Sequence, residues 1–257
     1  MIKAELQAIY VMWLRQMKRF VRSKSRIIAS IVQPLFFLVI LGGGFSTAQL
    51  PGVETNYIYY IAPGIIAMAI LFSSMFTGVS VLWDKQFGFM QEVLVAPISR
   101  FSIVIGRTLG GATTALIQGF IILFIAIAMG TPITGALGLV LTLVFMILIA
   151  FTAVGFGLIL ASRMNDFQGF QIIMNLIIFP LFFLSSAIFP IGSNPNLPDI
   201  IIKISYINPL FYMVDGLRGS LTGANYLVDP MINLGIVLII CVIMLTLGSF
   251  MFSKSEA

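Results

Sequence analysis

Six long runs of apolar residues divide the chain, at about 27–47, 58–82, 107–129, 137–160, 170–189 and 231–252. A helix needs about 20 mostly apolar residues to cross the roughly 30 Å hydrocarbon core of a bilayer. Each run is continuous and lacks the ten-residue alternation of barrel strands, so the segments are expected to be helices. The pattern predicts an all-α, polytopic membrane protein with six transmembrane helices.

The first 26 residues have a different pattern, because apolar and basic positions alternate there with helical spacing. The apolar positions are Leu6, Ile9, Tyr10, Trp13, Leu14, Met17, Phe20 and Val21, and the opposite face is rich in Lys and Arg. Such a helix is typical of a segment that lies in the membrane interface, with its cations near anionic lipid. Residues 1–26 are therefore predicted to be an N-terminal interfacial amphipathic helix. It is either only an anchor or also a docking surface for a soluble partner.

A second segment of interest, 83–106, lies between the second and third runs. Phe87, Met90 and Leu94 have the spacing of one helix face, Pro97 would end that helix, and Ser99 suits the N-cap of the next one. The segment is either a passive connector or a binding site. Exposed apolar side chains favour a protein partner, since they would otherwise face water.

The third segment, 190–230, is apolar but is interrupted by prolines and glycines. Two short helices are predicted in it, at about 197–206 and 210–221. Each is too short to cross a bilayer, so the two are expected to form a re-entrant helical pair between spans five and six. In the second, Asp215 and Arg218 are three residues apart and can pair on one face. The pair is expected to be a lid that stabilises the outer end of the bundle, whether or not it also acts as an external gate.

The distribution of charge predicts the orientation. Only 9% of the 257 residues are charged, and 12 of the 14 Lys and Arg fall on one side of the predicted spans. The side with more Lys and Arg is normally cytoplasmic. Both termini are therefore predicted to be cytoplasmic.

Several reaction types are excluded by the residues that are missing. The sequence has no histidine, one cysteine and no Lys preceded by Gly. It therefore contains no Ser–His or Cys–His nucleophile pair, no HExxH zinc site and no Gly-Lys of a P-loop. No ionisable residue is predicted well inside a span, although ion-coupled carriers usually need one. Such a protein is either passive or receives its energy from another polypeptide.

The polar residues predicted inside the spans are mild and are expected to form helix–helix hydrogen bonds. They are Gln33, Ser73, Ser74, Thr77, Gln118, Thr152, Gln171, Asn175, Ser185 and Ser186.

Two stretches of sequence resemble a known family. Residues 88–100, GFMQEVLVAPISR, followed by Gly106-Arg107, are similar to the cytoplasmic loop of ABC-2 membrane subunits of ATP-binding cassette exporters, especially permeases of the daunorubicin-exporter type. Phe189-Pro190-Ile191 and residues 208–218, NPLFYMVDGLR, resemble the signature that follows the fifth span of the same family. Position 87 is Phe, where relatives often carry a charged residue. The resemblance covers essentially the whole chain.

The resemblance implies an ABC-2 (type V exporter-like) fold, with 1–257 as a single transmembrane domain. Two membrane subunits would form a dimer, most simply a homodimer, and each would bind a separate ABC ATPase subunit. The chain itself would hold no cofactor, because Mg-ATP would bind to the ATPase. The partners would be these proteins and the lipid bilayer, with no nucleic acid, in the cell membrane of a prokaryote.

The resemblance also assigns roles to residues. The region 84–100 would be a cytoplasmic coupling helix that contacts the ATPase through Phe87, Gly88, Glu92, Leu94, Pro97 and Arg100. An external re-entrant cap would include Pro190, Pro209, Tyr212, Asp215 and Arg218.

The function predicted on this basis is ATP-driven export of an amphipathic or lipid-linked substrate. Two alternatives remain open: a passive channel or secondary carrier that acts without an ATPase, and a membrane-embedded assembly or enzyme subunit.

Overall fold

The structure is a computed structural model that describes residues 2–45, 51–53, 55–88, 98–192, 194 and 197–255. In those ranges every regular element is a helix, which confirms the all-α prediction. The helices are α1 (Ile2–Arg22), α2 (Lys24–Gly44), α3 (Tyr57–Gln86), α4 (Arg100–Ala128), α5 (Ala136–Arg163), α6 (Phe167–Phe183), α7 (Asp199–Ile207), α8 (Pro209–Thr222) and α9 (Pro230–Ser255).

The bundle is built around α3, which is buried along almost its whole length and packs against α2, α4, α5 and α8. Its apolar residues form most of the largest core cluster, together with side chains from α4, α5 and α8. By contrast, α2 and α9 are mostly exposed and lie at the periphery. A helix that is apolar on every side needs neighbours on every side, and among the described helices α3 has the most complete set.

The two ends of the bundle can be told apart by contacts between helix termini. At the end that carries α1, Gln86 donates a hydrogen bond to the carbonyl of Asn165, and Arg107 lies over the ring of Phe252. We call this the α1 end. The opposite end carries α7 and α8, where Thr134 donates to the carbonyl of Leu221, and we call it the cap end.

Among the helices that the structure describes, five are long and apolar enough to cross a membrane: α2, α3, α4, α5 and α9. The predicted fifth span, 170–189, corresponds to α6, which has only 17 residues and ends at Phe183. Beyond it the chain turns, and Ser186 takes a positive φ of 61°. The Asn208 side chain donates to the Leu181 carbonyl in the last turn of α6, so the helix ends against the segment between α7 and α8.

The predicted re-entrant pair is present. Helices α7 and α8 begin and end within two residues of the predicted limits, and they meet at an angle of 84°. Asn208 caps α8 by accepting a hydrogen bond from the Leu210 amide, and Pro209 occupies the first turn, where its missing N–H costs nothing. A chain that turns so sharply after nine helical residues does not continue across the bundle as one straight span.

The segment predicted between the second and third spans, 83–106, was too long by about three helical turns. Helix α3 continues to Gln86, and α4 already begins at Arg100, where Ser99 is the N-cap as predicted. The predicted third span began at Arg107, which the structure places two turns inside α4 and completely buried. Asp84 and Arg107 lie inside helices because they pair with each other in the interior. A search for apolar runs does not detect such a pair.

Three of the polar residues predicted to bond between helices do not do so in this chain. Gln33 of α2 and Gln171 and Asn175 of α6 are exposed on the outside of the bundle. Most of the others are buried; Gln118, for example, donates to the Ser30 hydroxyl at 2.6 Å and so joins α4 to α2.

Candidate coupling site and end cap

The N-terminal helix is seated directly on the start of α4. Gly106 and Gly110 make this possible, because a Cβ at Gly106 would lie 2.7 Å from the Met12 Cβ and one at Gly110 would lie 2.7 Å from the Gln16 Cβ. The side chain of Trp13 donates to the Thr113 hydroxyl at 3.1 Å. The Gly106-xxx-Gly110 spacing is therefore a helix-packing site of the kind that small residues form.

A buried carboxylate joins α1 to α3. Asp84, in the last turn of α3, is only 2% exposed and accepts hydrogen bonds from Arg15 at 2.9 and 2.5 Å. Arg19, also on α1, reaches the same carboxylate at 3.4 Å and lies over the ring of Trp83 at 5.4 Å. The carboxylate is thereby held by two cations of one helix.

A third cation comes from α4. Arg107 is fully buried and lies 2.8 Å from Asp84, so a single carboxylate connects α1, α3 and α4. Asp84 is about one turn before Phe87, the C-cap residue that follows α3. We call Arg15, Arg19, Asp84 and Arg107 the arginine cluster.

A second contact joins α1 to the other end of the 87–99 segment. The carboxylate of Glu5 accepts from the Ser99 amide at 3.0 Å and from the Ser99 hydroxyl at 2.8 Å. Hydrogen bonds from the Ser102 and Ser99 side chains lower the pKa of Glu5 below its usual value of 4.5. Helix α1 thus holds both the point where α3 ends and the point where α4 begins.

The residues predicted to contact an ATPase are placed only in part. Phe87 is 82% exposed, as a docking residue should be, and Gly88 has a φ of +74°, a conformation that favours glycine at the exit from α3. Arg100 is exposed at the start of α4. Glu92, Leu94 and Pro97 lie outside the described residues, so the coupling helix itself stays a prediction.

At the cap end, Arg218 is only 1% exposed and ties α8 to two other parts of the chain. Its guanidinium donates to the Tyr60 carbonyl of α3 at 3.2 Å and to the Ser186 carbonyl at 2.7 Å. The guanidinium also lies 3.9 Å from the centre of the Tyr60 ring. The Tyr60 hydroxyl in turn donates a hydrogen bond to the Ser186 carbonyl at 2.8 Å. This arginine therefore connects α8, α3 and the turn after α6.

Asp215 has its main partners in the segment that leads into α9. It is fully buried and accepts from the amides of Leu227 and Val228, both at 2.9 Å, and from the side chain of Asn233 at 3.0 Å. The distance to Arg218 is 3.9 Å, so the predicted ion pair exists but is looser than these hydrogen bonds. Both side chains are in the interior, so this is not a surface ion pair.

The remaining cap residues are less central. Tyr212 donates its hydroxyl to the Tyr206 carbonyl at 2.8 Å and so links α8 to α7. Pro190 is buried in the turn after α6, and Pro209 starts α8. All five predicted cap residues lie at this end of the bundle, but only Asp215 and Arg218 join it to other helices by buried charges.

Some residues that complete these two sites were not predicted from the sequence. Arg15 and Arg19 were placed only on the basic face of the N-terminal helix, while Asp84, Tyr60 and Asn233 were given no role of their own. A carboxylate next to an apolar run on a chain with few acids was a signal for Asp84, since an isolated charge there is costly. No comparable signal in the sequence pointed to Tyr60.

Comparison with known proteins identifies the family of this chain. Residues 7–222 match the family model of the ABC-2 type transporter. The chain is 27% identical to a putative transport permease, ycf38, of Cyanophora paradoxa, over 97% of this chain and 89% of the relative. It is 24% identical to the inner membrane transport permease YadH of Escherichia coli K12, over 85% and 84% of the two chains.

A third relative carries a more specific name. The probable multidrug ABC transporter permease YbhR of Escherichia coli K12 is 28% identical over 70% of this chain and 46% of its own length. The family match covers most of the chain, from α1 through α8. The protein belongs to the ABC-2 type transporter family and is a multi-pass membrane permease subunit of an ABC transporter.

Proposed function

We propose that this subunit exports an amphipathic or lipid-linked substrate and that a separate ABC ATPase drives it. The observation that carries the proposal is the double attachment of α1. Through Arg15, α1 binds Asp84 just before the 87–99 segment, and through Glu5 it binds Ser99 at the end of that segment. A partner that displaces the segment would therefore move α1, α3 and α4 together.

These attachments define the path along which a force on the 87–99 segment would be transmitted through the bundle. Movement at Phe87 reaches α3, which packs against α2, α5 and α8 and extends to the cap end at Tyr60. There Arg218 connects α3 to α8 and to the turn after α6. A change imposed at the α1 end thus has a continuous path of packed helix and buried hydrogen bonds to the cap. ATP binding and hydrolysis in the ATPase would supply the two states.

We further propose a homodimer whose seam includes the exposed faces of α2 and α6. Gln33, Gln171 and Asn175 are all exposed there, and each lies within about three turns of the α1-end start of its helix. An unpaired amide facing hydrocarbon costs several kcal/mol, on the order of 2–7 depending on the reference state. A second copy would give these amides polar partners or a hydrated pathway.

The proposed orientation places the α1 end in the cytoplasm and the cap end outside. Twelve of the 14 Lys and Arg are assigned to the α1 side, and basic loops normally remain cytoplasmic. An ATPase at the α1 end would then have access to ATP. Labelling of single cysteines placed at Lys203 and Lys254, in a Cys241→Ser background, tests this orientation with a membrane-impermeant reagent.

The decisive experiment is reconstitution with and without the ATPase that co-purifies from native membranes. Transport of a lipid-like or amphipathic cargo should require both proteins and ATP. Flux through the permease alone would favour the channel or secondary-carrier alternative and would end the proposal. Transport only of a small, very polar solute would overturn the proposed substrate class alone.

Substitutions that reverse or introduce a charge in the coupling segment test the contact with the ATPase. Glu92→Lys should leave the permease inserted in the membrane but should uncouple ATP hydrolysis from transport, and Leu94→Asp should do the same. Asp199→Lys is the matched control, because Asp199 is an exposed acid at the cap end. Normal transport by both coupling variants would show that this segment is not the docking site.

A further inference from the structure

The outer surface of α1 contains a pocket of about 450 Å³ that combines apolar and basic walls. Its lining residues are Val11, Leu14, Arg15, Lys18, Arg19 and Arg22. Four cations therefore lie around two aliphatic side chains. The family match and the proposed coupling contacts do not account for this pocket.

Two of the four cations pair with the carboxylate of Asp84. Arg15 and Arg19 turn inward to Asp84 but remain 28% and 29% exposed, so part of each side chain lines the pocket. Lys18 and Arg22 are exposed and form no ion pair with the described residues. Among the described residues, the cations on this face of α1 outnumber the acids paired with them, which gives the surface of α1 an excess of positive charge.

The position of the pocket favours a lipid over a soluble acidic protein. The helix surface beside it exposes Leu6, Tyr10, Val11 and Val21, each more than half exposed. An acidic protein surface would pair with the cations but would leave these apolar side chains in water. A phospholipid satisfies both, since its phosphate meets the cations while its acyl chains cover the apolar surface.

We propose that this pocket binds the phosphate headgroup of an anionic phospholipid and that the lipid competes with Asp84 for Arg15 and Arg19. A bound headgroup would draw the two arginines outward. It would therefore loosen the link between α1 and the end of α3. The lipid would thus set how firmly the arginine cluster is closed.

The two tryptophans give a direct readout. The chain has only Trp13 and Trp83; Trp13 lies on α1, and Arg19 lies over the Trp83 ring. A headgroup that moves Arg19 should change the tryptophan emission of the purified full chain. Short-chain phosphatidylglycerol is the probe, phosphatidylcholine with the same acyl chains is the control lipid, and inorganic phosphate is the control for a soluble anion.

Phosphatidylglycerol should give a saturable change in emission that phosphatidylcholine and inorganic phosphate do not reproduce. The double variant Lys18→Ala/Arg22→Ala removes the two cations that do not touch Asp84. The double variant should weaken the binding of phosphatidylglycerol about tenfold or more, because each basic residue near an anionic headgroup contributes about fivefold in affinity. Lys254→Ala, which removes an exposed cation at the same end of the bundle, should leave the affinity unchanged.

Competition with Asp84 predicts an effect of opposite sign. Asp84→Asn keeps the shape of the side chain but releases Arg15 and Arg19, so phosphatidylglycerol should bind severalfold more tightly. If this variant does not fold, the Lys18/Arg22 comparison still decides whether the site exists.

Three results would overturn the proposal. One is equal binding of phosphatidylcholine, and a second is equal affinity of inorganic phosphate, which would indicate a soluble-anion site. The third is a double variant that keeps its affinity for phosphatidylglycerol; if that variant also loses the ATPase on co-purification, the cations belong to a protein interface.

Discussion

The Asp215→Ala variant tests whether the cap is held by buried hydrogen bonds or by a surface ion pair. In the structure, the carboxylate accepts from two backbone amides and one side-chain amide, while Arg218 is 3.9 Å away. Alanine removes all three acceptor contacts. The residues that donate them connect α8 to the start of α9.

The expected loss of stability follows from what is left behind. A buried donor without a partner costs about 1–3 kcal/mol, and removing one member of a buried charge pair costs about 3–5 kcal/mol. We therefore expect Asp215→Ala to lower the free energy of unfolding by about 3–5 kcal/mol. An exposed ion pair would contribute only about 0–1 kcal/mol.

The assay is an unfolding titration of the purified chain in mixed micelles. The matched control is Asp229→Ala, another Asp in the same region of the chain. Asp229 is exposed and accepts a hydrogen bond from the Met231 amide at 2.8 Å, so its loss should cost about 1 kcal/mol, as for an ordinary helix cap. If the two variants lost equal stability, the carboxylate of Asp215 would not be buried in this network, and the account of the cap would be wrong.

Three further predictions concern α1 and the re-entrant pair. Gly106→Leu should displace α1 and uncouple ATP hydrolysis from transport, whereas Gly235→Leu, where a Cβ meets no atom within 4 Å, should transport normally. The pKa of Glu5 is lower in the folded chain than its usual value of 4.5. The ionised carboxylate therefore contributes to stability above about pH 4.5, and this contribution is lost as the pH falls through the folded-state pKa. Glu5→Gln should therefore flatten the difference in melting temperature between pH 6 and the acid range, and an unchanged profile would contradict the assignment. Asn208→Ala removes two side-chain hydrogen bonds and should destabilise the chain by about 1–2 kcal/mol in the same micelle titration.

Much of the fold could be predicted because hydrophobic periodicity is a local property of the sequence. The apolar runs, the N-terminal amphipathic helix, the N-cap at Ser99 and the two short helices after Pro190 were all found from residues within one element. The predicted ends of the helices were wrong where tertiary contacts override the local pattern. Helix α3 passes the end of its apolar run because Asp84 is paired, and α6 stops at Phe183 before its apolar run is complete.

The sites were less predictable because their contacts are long-range. Arg15 and Asp84 are 69 positions apart, and Arg218 and Tyr60 are 158 positions apart. Spacing along one helix identified Asp215 and Arg218 as neighbours, but it also suggested that they mainly bind each other. The direction in which each side chain turns depends on the helices beside it, and a single sequence does not contain that information.

The two sites differ in how their charges are balanced, and this difference suits their proposed roles. At the cap, Asp215 and Arg218 are each surrounded by amides or carbonyls, so any movement that separates one side chain from its partners leaves a buried polar group unpaired. That end should move as one body. At the α1 end, one carboxylate is shared by three arginines, two of them partly exposed. Asp84 can lose contact with Arg19 and still be paired with Arg107, so the attachment of α1 can shift without leaving the carboxylate alone in the interior. A joint that can rearrange belongs where an external force enters, and a rigid cap belongs where that force must be delivered.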